Sequence, residues 1–289
     1  MATNPVADPY PVSAELGPVD VGAQARPRSL IVTIFGAYAR QSSGWLSVAS
    51  LVRLLSAVGV EEPAVRSSVS RLKRRGVLVA ERRDGAAGYG LSQPFLTELD
   101  EGDRRIFSRP AGRLEDGWVL AAFSVPESER RMRHQLRSRL TWLGFGTVAP
   151  GVRIAPAHLT DDTRRVLTRV GLSAYVDLFR ADYLDFADLR QEVGRWWDLD
   201  ELAVRYGGFV QTWQPVLTAW RRRRIVEPRE AFGDYVTALD AWRRLPFLDP
   251  GLPAELLPRG WQGTRAADVF FGLREKLAGP AHELVDAVR

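Results

Sequence analysis

The 289-residue chain contains no cysteine. That excludes disulfides, thiolate nucleophiles and Cys-ligated metals, and it fits a reducing cytoplasm. Histidine is scarce as well: His134, His158 and His282 lie far apart and form no i, i+4 ligand pair. Neither a zinc site nor a Ser-His-Asp arrangement is therefore written in the sequence. Long hydrophobic runs are missing too. The run around Leu30–Ala39 is about ten residues long, short of the ~20 needed to cross a bilayer. Residues 1–26 carry Pro5, Pro9, Pro11 and Pro18 among scattered acids, with no apolar stretch of signal-peptide type. They read as a disordered tail.

What the chain does have is arginine. The net charge is only +5, but the pI lies near 9.9, and that bias asks for an anion. Nucleic acid, a phosphorylated cofactor and acidic lipid all qualify on charge alone.

The bias concentrates in "EEPAVRSSVSRLKRRG", Glu61 to Gly76, where no acid follows Glu62. Pro63 suits a first helical turn. At ~100° per residue, Val65, Val69 and Leu72 fall on one arc, while Arg66, Ser67, Ser70, Arg71 and Arg74 gather roughly opposite, with Lys73 at their edge. Upstream, "PRSLIVTIFGAYAR" has helical spacing with Pro27 at its entrance, although its β-branched residues also allow a strand. Then comes a short extended Gly44-Trp45-Leu46, with Ser47 as the N-cap of a helix burying Val48, Leu51, Leu54, Leu55 and Val58, and Gly59 as its stop. After Gly76, "VLVAERRDGAAGYGLS" reads as a hairpin with Arg82 and Arg83 near its tip.

Helix, short strand, helix, tight turn, helix, hairpin is the order of a winged helix-turn-helix, here over residues 27–95. Its second paired helix enters the DNA major groove and its wing touches the adjacent backbone. The expected contacts to duplex DNA are Arg66, Ser67, Ser70, Arg71, Lys73 and Arg74 from the helix, and Arg82 and Arg83 from the wing. Taken alone, the helix would read equally well as a solvated basic surface.

"AVRSSVSRLKRRGVLV" followed by "YGLS" resembles the N-terminal domain of the phenylacetate-degradation repressor (PaaX) family. A helix and linker are expected over residues 96–116. Residues 117–183 then read βαββαβ, the ferredoxin-like pattern. In that segment Met132, Leu136, Leu140 and Leu143 face inward beneath an outward fan of arginines, and Thr160 caps the second helix. "GFGTVAPG" runs from helix into strand, the reverse of a dinucleotide fingerprint. Asp161-Asp162 suits a helix N-terminus better than a metal.

"WVLAAFSVPESERRMRHQLRSRLTWLGFGTVAPGVRIAP" is again similar to the PaaX central domain, whose fold the resemblance links to small CRISPR-adaptation endoribonucleases. Those enzymes place an acidic metal ligand after the first strand, in a Tyr-Asp pair. Here the pair is Phe123-Ser124, and a hydroxyl replaces a carboxylate poorly at Mg²⁺. A metal-dependent nuclease is thus the weaker alternative, and no enzyme is expected.

Residues 184–289 read as a helical domain, with "LPFLDPGLPAELLPRGWQG" a Pro-rich connection resembling the PaaX C-terminal region. The fold class expected is α+β. A cytoplasmic repressor with no membrane span is expected, homodimeric on a palindromic operator because one short helix contacts few base pairs; the resemblance implies release by a coenzyme-A thioester, with no other cofactor. In "WRRRRIV", Arg221, Arg222, Arg223 and Arg224 beside Trp196, Trp197, Trp213 and Trp220 supply phosphate clamps and an aromatic wall for such an effector. The same arginines equally suit a solvated helix end, and Arg130, Arg131 and Arg133 compete for the role. A DNA-binding adaptor without an effector is the remaining alternative.

Overall fold

A computed structural model describes residues 26–40, 44–109, 111–184 and 186–289. Of the expected tail, all but Arg26 lies outside the described residues. The fold is mixed α+β and divides into two compact units. The first gathers the described residues up to Asp103 with Tyr206–Arg244 and Gln262–Arg289; the second joins the described residues of Arg104–Arg205 to Leu245–Trp261.

In the first unit, α1 (Pro27–Ile34) runs on into a π-helical turn, Phe35–Ala39. The segment that allowed either helix or strand is helical because it is buried nearly all round: Leu30, Ile31, Val32, Ile34 and Phe35 are all inside, so apolar side chains are needed on every side. Next come β1 (Trp45–Ser47) and α2 (Val48–Ser56). As expected, the Ser47 hydroxyl caps α2, accepting the Ser50 N–H at 2.9 Å. Gly59 ends the turn at φ +75°, and Pro63 sits in the first turn of α3 (Glu62–Arg74).

Strands β2 (Leu78–Arg83) and β3 (Ala86–Leu91) form a hairpin. Its two turn residues, Asp84 and Gly85, both have positive φ, the backbone that matches strand twist in a two-residue loop. The sheet order is β1-β3-β2, antiparallel throughout. Gly88 lets Trp45 lie across the hairpin, since a Cβ there would come within 2.3 Å of the indole. Helix α4 (Gln93–Asp103) closes this stretch.

The second unit opens with β4 (Trp118–Phe123), α5 (Arg130–Trp142), β5 (Gly146–Ala149), β6 (Val152–Pro156), α6 (Thr160–Arg169) and β7 (Val176–Ala181). The sheet order is β5-β6-β4-β7, again antiparallel. One core joins Val119, Ala121 and Ala155 of the sheet to Leu136 and Leu140 of α5 and Val166 and Leu167 of α6. Trp118 and Ile154 belong to another core with Val193 and Trp196 of α7 (Leu189–Trp196).

Two local expectations change here. Thr160 does not cap α6: its hydroxyl donates backward to the Ala157 carbonyl at 2.7 Å. The arginine fan on α5 is incomplete, because Arg139 is buried and Arg133 folds back to donate to the Val125 carbonyl at 2.8 Å.

The remaining helices are α8 (Leu199–Arg222), α9 (Pro228–Trp242), the short α10 (Leu245–Leu248) and α11 (Gln262–Ala287). Residues 184–289 do not form a unit of their own. Helix α9 packs on α1 and α11 in the first unit, with Trp242 stacked on Phe270 at 4.8 Å.

A buried ionic cluster fastens α1 to α9. Asp240, 2% exposed, accepts from Ser29 Oγ at 2.6 Å and Thr33 Oγ1 at 2.8 Å. Arg243 and Arg244 approach it at 3.1 and 2.9 Å. Burial works against ionisation of Asp240, but the two guanidiniums and two hydroxyls outweigh it and hold the carboxyl below its usual range.

Candidate nucleic-acid interface

Helix α3 separates its two faces cleanly. Val65, Val69, Leu72 and also Ser68 are buried, whereas Arg66, Ser67, Ser70, Arg71, Lys73 and Arg74 are all exposed. The outward positions cover roughly 160° of the helix circumference at 3.6 residues per turn. They are not equivalent. Arg66 pairs with Glu62 one turn back at 2.6 Å. The side chains of Arg71, Lys73 and Arg74 make no ion pair or hydrogen bond among the described residues. Like charges three or four residues apart on a helix repel by a few tenths of a kcal/mol, so Arg71 and Arg74 are kept together at a small cost that an anion would offset.

The wing arginines differ from each other as well. Arg82 curls over the hairpin turn and donates to the Gly85 carbonyl at 2.8 Å. Arg83 pairs with Glu81 at 2.8 Å and lies 5.7 Å from the Trp45 ring centre. The hydrogen bond from Arg83 holds the Glu81 carboxyl below its ordinary range. Half of the wing's expected charge is thus already balanced.

The four tryptophans of the expected aromatic wall are divided between the two units. Trp196 is buried in the second unit with its ring 5.8 Å from that of Trp118. Its neighbour Trp197 donates its indole N–H to the Gly144 carbonyl at 2.9 Å. Trp213 and Trp220 lie in the first unit, both buried. Trp220 donates to Asp234 at 2.7 Å, and Trp213 packs beside Phe209. Tryptophans at helical spacing along α8 are core here, where only large rings fill the space between long helices. Of the four arginines that follow, Arg223 stacks 4.4 Å from the Trp220 ring centre and pairs with Glu230. Arg221, Arg222 and Arg224 are exposed.

Ser124 is exposed just past the end of β4. No group of three or more His, Asp or Glu suited to a metal occurs among the described residues.

Three family profiles match consecutive stretches. The PaaX-like protein profile covers residues 26–94, the PaaX protein central Cas2-like domain residues 111–193, and the PaaX-like protein C-terminal domain residues 197–287. The chain belongs to the PaaX family. This PaaX-family chain is 27% identical over 258 residues to the transcriptional repressor PaaX of Escherichia coli (strain K12), covering 88% of itself and 81% of that protein. Its fold is similar to that of an uncharacterized protein from Mycobacterium tuberculosis, with a TM-score of 0.57 at 22% identity, over 92% of this chain and 99% of the other.

One feature of this PaaX-family chain escaped the sequence reading. Trp197 shares the wall of a cavity of about 490 Å³ with Arg190, Arg195 and Arg259. Arg259 comes from the Pro-rich connection, and its separation of more than sixty positions from the other three leaves no periodic signal.

Proposed function

We propose that this PaaX-family chain is a DNA-binding transcriptional repressor and not an enzyme. The observation that carries this is the row of outward, unpaired cations on α3 beside the β2–β3 hairpin. The element order and the β1-β3-β2 sheet support a winged helix-turn-helix over residues 27–95, with Arg66, Ser67, Ser70, Arg71, Lys73 and Arg74 meeting duplex DNA and Arg82 and Arg83 reaching its backbone. The β5-β6-β4-β7 order supports a ferredoxin-like centre. One α3 contacts few base pairs, so a homodimer on a palindrome doubles the specificity. Release by a coenzyme-A thioester completes the proposal; the exposed Arg221, Arg222 and Arg224 remain candidate phosphate contacts for it, without the tryptophan slot.

The test is selection from a random duplex library followed by footprinting at physiological salt. A two-fold symmetric site that binds far more tightly than bulk DNA is the expected result, and acyl-CoA should lower that affinity. Uniform affinity across sequences would overturn the repressor reading. A second expectation concerns the wing. Changing both Arg82 and Arg83 to alanine should weaken binding to all duplexes and reduce the salt slope by about one. Two free phosphate contacts would give about twice that, but Glu81 already balances Arg83. A loss confined to one base position, at constant slope, would assign the wing to base readout instead.

A further inference from the structure

We propose that the cavity formed by α7, the start of α8 and the 256–259 segment binds a small ligand carrying phosphate groups next to a planar ring. Its volume, about 490 Å³, lies within the usual range of ~300–1,000 Å³ for small-molecule sites. Three guanidiniums share the wall: Arg190, Arg195 and Arg259. Arg195 is paired with Glu192 at 2.7 Å. Arg190 and Arg259 are exposed, and their side chains make no ion pair or hydrogen bond among the described residues, although Asp198 and Asp200 line the same cavity. Asp198 is otherwise engaged, since its carboxylate accepts the Glu201 N–H at 2.8 Å in the first turn of α8. That turn also presents the positive end of a 24-residue helix.

The ring component follows from Trp197. Its indole is fixed at one edge by the hydrogen bond to Gly144. It lies against β5 at Gly146, where an added Cβ would come within 2.7 Å of the ring. The side chain is only partly buried, packed on one side near Trp118 and Trp196, and Trp197 is among the residues that line the cavity. A fixed indole stacks a flat ring at little entropic cost, and guanidiniums clamp phosphate oxygens in pairs. Arg190 and Arg259 come from different chain segments and share the cavity wall, so a ligand with two phosphates offers each guanidinium an anionic partner.

The claim rests on the cavity and not on the effector proposal. The probe is ADP, titrated calorimetrically into the full chain, with adenosine and pyrophosphate as its two halves. Saturable ADP binding is expected, tighter than either half. Arg190→Ala with Arg259→Ala should weaken it roughly tenfold or more, while Arg229→Ala with Arg265→Ala, two exposed arginines on α9 and α11, should leave it unchanged. If the alanine pair melts early, Arg190→Gln with Arg259→Gln takes its place. Absence of saturable ADP binding, or equal affinity in the double variant with unchanged melting, overturns the site. The titration contains neither DNA nor thioester, so it can fail while release of DNA by acyl-CoA holds, and the reverse.

Discussion

Replacing Asp240 with alanine should cost the first unit about 3–5 kcal/mol, the penalty for leaving buried cations without their counter-charge. Arg243, itself buried, would lose its carboxylate, and Ser29 and Thr33 would lose the acceptor that joins α1 to α9. The melting temperature should fall by on the order of 10 °C. Asp240→Asn keeps the shape and one acceptor oxygen but replaces the other oxygen with an NH2 donor and removes the charge, so a smaller loss than with alanine is expected. The effect of acid has a definite sign. The folded carboxyl is held below its ordinary range, so its contribution is complete above the unfolded pKa of about 3.9 and is lost as pH falls through the folded value. Wild type should therefore lose stability in strong acid more steeply than Asp240→Ala. Urea denaturation at neutral and acid pH, followed by tryptophan fluorescence, is the check; a neutral-pH loss below about 1 kcal/mol would mean that the cluster is merely tolerated.

The second large effect is on DNA. Arg71→Ala combined with Arg74→Ala should weaken specific binding by roughly 2–6 kcal/mol, at ~1–3 kcal/mol for each direct contact, with the fold unchanged because both side chains are outside. Arg66→Ala should cost less. Its guanidinium is already paired with Glu62, so DNA must compete with an existing partner. Fluorescence anisotropy on a selected duplex compares the two variants; an equal loss in Arg66→Ala and the double variant, or none in the double variant, would place the interface elsewhere.

Which features were legible from sequence depended on how far apart the partners lie. The Ser47 cap, the Pro63 entrance, the Gly59 stop and the two faces of α3 are settled within a few residues, and each was read directly. So was the alternation of strand and helix through residues 117–183. The Asp240 cluster was invisible because its hydroxyl partners are 211 and 207 positions away. The tryptophans of α8 misled for a related reason. An aromatic stripe at helical spacing looks the same whether another helix or a ligand covers it, and here Trp220 is 2% exposed. The outward fan of arginines on α5 fails at Arg139, which is inside. The division into units could not be read at all, since the Pro-rich connection belongs to a different unit from the helices on either side of it.

That interleaving has a consequence during synthesis. Helix α3 packs against α1, and α1 is anchored by Asp240, 211 residues after Ser29. The Ser50 hydroxyl donates to the Val288 carbonyl across 238 residues. At ~5–20 residues per second, a ribosome needs on the order of ten seconds or more to span such gaps. Throughout that interval α1, with Leu30, Ile31, Ile34 and Phe35, lacks α9, one of the helices packed on it, and the nascent chain carries a partly uncovered apolar segment. The helix proposed to meet DNA is made well before Asp240, which anchors its neighbour α1.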